Sequence, residues 1–169
     1  MNSIILVMGL PGSGKSYFAA RLASEISAVH LQSDIVRKSM HLEGKYTEGD
    51  KMLVYEEMCN KAEALLDNGE SVIVDATFHL DTFRKIFYKL AAKLTIQIAV
   101  IWIESTDTLI KLRMKNPRKY SEADYATYLQ LKKDFDPVLH PFLHLKSTNS
   151  NIDSMINKAV NYLKIGDDT

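Results

Sequence analysis

Apolar runs alternate with amphipathic stretches along the whole chain. Ile4-Ile5-Leu6-Val7-Met8 is continuously apolar rather than alternating, so it reads as a strand covered on both faces, the kind found in parallel sheets. Residues 15–27 then carry Phe18, Leu22 and Ile26 at helical spacing. Residues 29–32 form a second short strand, residues 47–68 a long helix that Gly69 is placed to end, and residues 71–75 a third strand. Helical periodicity over 79–93 leads into a fourth strand over 94–103. The next helix, 106–115, cannot run past Pro117, because the residue before a proline is driven out of the helical region. Residues 121–135 read as helix, 142–146 as a weak fifth strand and 152–163 as the closing helix. Strand and helix alternate about five times, which predicts a single α/β domain over 1–165, with a mainly parallel five-stranded sheet, helices on both faces and a flexible tail over 166–169.

Composition narrows this picture. At 169 residues with 46% hydrophobic positions, the chain can bury a full core, which excludes wholesale disorder. Its 21 basic and 21 acidic residues cancel, so no global field draws in a polyanion and any nucleic-acid contact must use a local basic patch. The one cysteine, Cys59, has no internal disulfide partner, in keeping with a reducing cytoplasm. The first apolar run is too short to span a bilayer and runs into Gly-Leu-Pro-Gly rather than a cleavage site, so neither secretion nor membrane insertion is expected. The five histidines show no spacing shared by metal ligands.

The chemistry begins where the first strand ends. Gly9-Leu10-Pro11-Gly12-Ser13-Gly14-Lys15-Ser16 matches G-x-x-x-x-G-K-[ST] between a strand and a helix, the setting that pattern requires. Gly9, Pro11, Gly12, Ser13 and Gly14 shape a loop whose N–H groups point inward at phosphate oxygens, and the following helix adds the positive end of its dipole. Lys15 is expected to reach the β- and γ-phosphates, and the Ser16 hydroxyl to bind Mg²⁺ carried in with ATP. A Ras-type GTPase would need an Asn-Lys-x-Asp element; Asn60-Lys61-Ala62-Glu63 and Asn157-Lys158-Ala159-Val160 both lack the aspartate. A motor ATPase would need more chain, and small phosphotransferases fit the size.

The carboxyl ends of the other strands supply further candidates, because in such sheets they open on the ligand crevice. Asp34 follows the second strand, where a carboxylate can take the proton of an acceptor hydroxyl; Arg37, one helical turn on, offers a fork for an acceptor's phosphate or carboxylate. The plainer alternative is a helix cap and an ion pair. Asp75 ends the third strand in a Walker B-like pattern that binds Mg²⁺ through water, with a simple turn as the alternative. Thr77 is placed to touch the acceptor, and Arg84 either does likewise or pairs with Asp81 on a solvated face. Lys111, Arg113, Lys115, Arg118 and Lys119 form an acid-free run after the fourth strand, where small kinases carry a lid. Arg113 and Arg118 are the candidates for stabilising the transferring phosphoryl group.

Gly9 to Ser16, Ser33-Asp34-Ile35-Val36-Arg37-Lys38, Val72-Ile73-Val74-Asp75-Ala76-Thr77-Phe78 and the basic run together resemble the AAA_33-type P-loop kinases. That group includes the 5′-hydroxyl kinase domain of polynucleotide kinases and is related to zeta-toxin kinases. The resemblance spans essentially the whole chain. It implies a nucleoside-kinase-like P-loop sandwich of three layers, phosphate binding by Lys15 and Ser16, a general base at Asp34, acceptor-strand contact by Arg37 and transition-state contact by Arg118. The chain has no room for the phosphatase or ligase domains to which many relatives are fused.

Tyr125 and Tyr128 are spaced to pack on the sheet rather than stack on bases, and Trp102 reads as structural, with adenine stacking as its alternative. The function expected is an ATP-dependent kinase, with a nucleic-acid 5′-hydroxyl as the favoured acceptor and a small molecule (nucleotide sugar, nucleoside or antibiotic) close behind. A nucleotide-switched regulatory ATPase is the reading from another class.

Overall fold

The computed structural model describes residues 2–116 and 123–167. In chain order it contains β1 (Ser3–Met8), α1 (Lys15–Ile26), β2 (Val29–Gln32), α2 (Ser33–Ser39), α3 (Glu48–Asp67), β3 (Val72–Ala76), α4 (Asp81–Leu94), β4 (Gln97–Glu104), α5 (Asp107–Arg113), α6 (Tyr125–Lys133), β5 (Leu143–Lys146) and α7 (Ile152–Asp167). The strands form one sheet in the order β2-β3-β1-β4-β5, every neighbouring pair parallel.

Burial on both faces explains the unbroken apolar runs. Ile4, Leu6 and Met8 of β1, with Val72, Val74 and Val100, pack under Val54, Met58, Phe83 and Phe87 of α3 and α4. Ile5 and Val7, with Ile73, Ile101 and Leu145, pack under Phe18 and Leu22 of α1 and Met155, Ile156 and Ala159 of α7. Each such side chain contributes roughly 1.5–3 kcal/mol of transfer free energy, which makes the sheet a rigid base for the loops at its carboxyl edge. After β1 the chain crosses to the far edge for β2 and returns to β3 beside β1, then continues to β4 on the other side. The crevice therefore opens over the end of β1.

Local chemistry sets the ends. The Thr47 hydroxyl accepts from the Asp50 N–H while an Asp50 carboxylate oxygen accepts from the Thr47 N–H, a reciprocal cap that starts α3. Gly69, at φ +84°, follows its C-cap. Thr95, left-handed at φ +53°, terminates α4, and for that reason β4 starts at Gln97 rather than at Leu94. Two expectations change. Residues 33–39 form α2, a helix too short to show an apolar period. The expected flexible tail is partly helix: α7 continues through Asp167, because each added residue of a nucleated helix gains a hydrogen bond without a new nucleus, while residues 168–169 lie outside the described residues. Among the described residues, no helix is long and apolar enough to cross a membrane.

Candidate active site

The glycine loop is shaped by what lies behind it. A Cβ on Gly9 would sit 2.4 Å from the Ile103 carbonyl oxygen, so only glycine lets the loop leave β1 against β4. Gly12 and Gly14 hold φ of +80° and +89°. The Ser13 N–H donates to Leu10 O at 3.1 Å, closing the turn, and α1 starts at Lys15 without a side-chain cap. The N–H groups of its first turn and the positive end of its dipole are thus offered to an anion. The Ser147 hydroxyl, just past β5, donates to Ser13 O at 2.6 Å and accepts from Arg113 Nη1 at 3.1 Å.

Arg113 departs from its expected role as a lid arm. Its Nη1 also donates to Gly12 O at 3.0 Å, and its Nε and Nη2 donate to Asn149 Oδ1 at 3.4 and 3.2 Å. Gly12 of the phosphate loop and Ser147 and Asn149 of the β5–α7 loop hold the guanidinium, so it stakes the loop in place instead of swinging over it. Arg118 lies outside the described residues.

On the other side of the loop a cavity of about 290 Å³ is lined, among the described residues, by Lys15, Asp34, Arg37, Thr77 and ten further residues, most of them from α2, α3, the β3–α4 loop and α6. Four residues chosen from sequence for transfer and acceptor binding thus share one cavity. Asp34 lies in the first turn of α2, which suits a carboxylate because the helix dipole favours negative charge there. Arg37 is only 7% exposed: Nη1 donates to Lys45 O at 2.6 Å, the guanidinium lies 4.4 Å from the Tyr46 ring centroid, and Nε has no hydrogen-bond partner.

Lys51, Tyr55 and His79 also face this cavity and were not singled out in the sequence. The signal available for the first two was their i, i+4 spacing at the polar end of a stripe continued by Met58 and Ala62. Tyr55 stacks on Phe83 at 4.3 Å, and its hydroxyl oxygen accepts from the Phe78 N–H at 2.9 Å. That bond holds Phe78 at φ +54°, a conformation costly for a side chain of its size, and so sets the course of the β3–α4 loop. Burial pushes the Tyr55 phenol well above its ordinary pKa, keeping it a neutral hydrogen-bonding group. Burial, and secondarily the Lys51 charge, lower His79 to about 4, so it is neutral at pH 7; its Nδ1 has no partner.

Arg84 is neither at the acceptor nor solvated. It is 0% exposed and donates from Nε to Phe78 O (2.8 Å), from Nη1 to Pro137 O (2.7 Å) and from Nη2 to His79 O (3.2 Å) and Asp136 O (2.7 Å). Asp81, its expected partner, instead pairs with Lys85 at 2.7 Å, and its own N–H donates to Asp136 Oδ2 at 2.8 Å. Arg84 thereby ties the segment after α6 to the β3–α4 loop and fixes the α6 wall of the cavity. Asp75 is fully buried, with Oδ2 3.0 Å from His30 Nε2 and Oδ1 without a partner. Tyr128 is buried and donates to Asp107, and Trp102 stacks on Phe135 at 5.1 Å, which occupies one face of the indole.

Residues 4–138 match the model of the AAA_33 family, an AAA domain. Over 101 residues, 53% of this chain, the sequence is 33% identical to uncharacterized proteins of Mycobacterium tuberculosis and Mycobacterium bovis; the match covers 20% of their length. The APS kinase of Mycobacterium tuberculosis, solved with AMPPNP and APS, superposes with a TM-score of 0.76 at 19% identity over 96% of this chain and 97% of that one. A sugar kinase from Janibacter gives 0.71 at 18% identity over 98% and 95%, and a gluconokinase from Sinorhizobium meliloti 0.69 at 15% over 94% and 89%. At these identities the likeness is one of fold: a kinase-like P-loop sandwich.

Proposed function

The chain belongs to the AAA_33 family, and on that premise we propose that it is an ATP-dependent phosphotransferase acting on the hydroxyl of a small molecule. The observation that carries this reading is the cavity shared by Lys15 and Asp34, large enough for a sugar- or nucleoside-sized ligand beside the phosphate loop. The N–H groups of residues 12–16 and the Lys15 ammonium would hold the β- and γ-phosphates. The acceptor hydroxyl would lie against Asp34, which takes its proton as the new O–P bond forms. The bond from the γ-phosphorus to the bridging oxygen breaks, and its electron pair leaves on ADP.

Ser16 and Asp75 would hold Mg²⁺. The unpartnered, enclosed Asp75 Oδ1 and the Ser16 hydroxyl are hard oxygen donors of the kind Mg²⁺ takes, directly or through water. Held there, Mg²⁺ would supply neutralisation of the phosphate charge. His30 would aim the carboxylate from β2. Arg118 stays the candidate for charge stabilisation from the basic run.

In the sequence the basic run and Arg37 favour a nucleic-acid 5′-hydroxyl, and the balanced net charge favours a small molecule. The named structural relatives are a sugar kinase, an APS kinase and a gluconokinase, so the small-molecule acceptor is the better-supported reading. The test is a Mg-ATP assay of the full chain against sugars, sugar acids, nucleosides and a 5′-hydroxyl oligonucleotide, with ADP release and product mass recorded together. Acceptor-dependent ADP release with a phosphorylated small molecule is expected. Nucleotide binding without product from any acceptor would favour a nucleotide-switched protein.

A further inference from the structure

Among the described residues the charged groups of the cavity do not balance: Lys15, Arg37 and Lys51 face it against one carboxylate, Asp34. Lys15 belongs with the nucleotide, which leaves Arg37 and Lys51 on the acceptor side. Among the described residues neither is ion-paired to a carboxylate. The Lys51 pKa is lowered first by burial and second by the Arg37 charge; Glu48 and Asp134 oppose this more weakly. Two cations turned toward each other in a partly desolvated space repel unless an anion comes between them. The same wall holds two buried polar atoms without partners, Arg37 Nε and His79 Nδ1, in side chains 7% and 5% exposed. Unsatisfied polar atoms at this depth cost free energy in the empty protein and mark where a ligand atom belongs.

We propose that Arg37, Lys51 and His79 form an anion subsite inside the acceptor cavity, so that the acceptor is a small anionic alcohol: a hydroxyl compound carrying a carboxylate, phosphate or sulfate group. This rests on the transfer reading above and narrows its substrate. Arg37, preset by Lys45 O and the Tyr46 ring, supplies a planar fork whose Nε remains to be used. Lys51, fixed on the first turns of α3, closes on the anion from the opposite side as a point charge. His79 can donate one hydrogen bond without adding charge. The hydroxyl of the same molecule then reaches Asp34, which repels the anionic end and so sets the orientation. Lys51 is the residue that discriminates, since without it Arg37 is the one full charge left to meet the anion in a cavity that Val54, Tyr55 and Leu131 also line.

Two measurements on the full chain test this. The first compares matched sets, glucose with gluconate and glucose 6-phosphate, and glycerol with glycerate and glycerol 3-phosphate, by calorimetry with the phosphate loop filled by AMPPNP. In at least one set the anionic members bind about 10- to 100-fold more tightly than the neutral one; Lys51→Gln abolishes that preference and Lys51→Arg keeps most of it. Where transfer is observed, Lys51→Gln raises KM far more than it lowers kcat. The second measurement needs no acceptor. Lys51→Gln removes one of two facing cations, so the ligand-free variant melts at the same temperature as the wild type or higher, whereas a lysine that merely supports the fold would lower the melting temperature.

Neutral and anionic members binding alike in every set, or a Lys51→Gln variant that melts lower and keeps its anion preference, overturns the subsite. Phosphorylation of a 5′-hydroxyl oligonucleotide with none of the small anions bound also overturns it, in favour of a polymer acceptor. Lys51-dependent anion binding without phosphoryl transfer keeps the subsite and removes the kinase reading. Transfer to neutral alcohols as fast as to anionic ones keeps the kinase and removes the subsite.

Discussion

The phosphate loop and the acceptor cavity adjoin each other at Lys15 and are built on opposite plans. The loop is one contiguous segment, residues 9–16, and presents backbone N–H groups whose directions follow from glycines at left-handed φ. The cavity draws on α2, α3, the β3–α4 loop and α6, and presents side chains. Outside support differs too. The loop is staked by Arg113 and Ser147, through polar bonds to its carbonyls. The cavity is shaped by an aromatic stack, Tyr55 on Phe83, and by one buried arginine, Arg84. A backbone site accepts any ligand that presents phosphates. A side-chain site assembled from separate elements can change its ligand by single substitutions, and so it is where specificity resides.

Lys15→Ala should show the largest effect, since it removes the charge that serves the phosphates and touches no core contact. Transfer should fall by about 10³-fold or more with the circular dichroism spectrum unchanged. Turnover like that of the wild type in a folded variant would detach the loop from the mechanism.

Arg84→Met tests whether the cavity stands on its latch. The variant loses four donated bonds and leaves the carbonyls of Phe78, Asp136 and Pro137 short of a donor, while His79 O keeps the Asp136 N–H, at a cost of about 3 kcal/mol in denaturant unfolding. Because the α6 wall moves and the glycine loop does not, acceptor KM should rise more than ATP KM. Equal changes in the two KM values would mean that the latch serves the whole domain.

Asp34→Asn separates the chemical step from binding. The shape is kept and the proton acceptor lost, so transfer should drop on the order of 10²-fold while AMPPNP affinity, measured by calorimetry, stays within about twofold. A variant transferring at the normal rate would reduce Asp34 to a favourable charge at a helix start.

The smallest effect expected is one of pH. His79 is depressed to about 4 in the folded chain from 6.5. Between those values the unfolded state binds the proton and the folded state does not, so the contribution is intact above 6.5 and lost as pH falls toward 4. The loss is on the order of 2 kcal/mol, read as a falling denaturation midpoint, and His79→Gln should flatten this part of the curve. An unaltered slope in the variant would assign the acid sensitivity to other groups.

The order of elements, the glycine loop and the residues at strand ends were legible in the chain because each depends on neighbours within a few positions. A buried parallel strand must be continuously apolar, and a phosphate loop needs glycines at set intervals. Asp34, Arg37 and Thr77 could be placed at the crevice for the same reason, since strand ends in such a sheet share one edge. What only the tertiary structure decided were the partners of long polar side chains. Arg84 could have faced solvent, and Arg113 could have reached over the phosphates; which carbonyls come within 3 Å of a guanidinium depends on packing between elements dozens of residues apart. The same holds for Lys51, Tyr55 and His79. Helical spacing puts Lys51 and Tyr55 on one face of α3, but the sheet order brings that face against α2 and the β3–α4 loop, and charge left unpaired there has meaning only once the cavity exists.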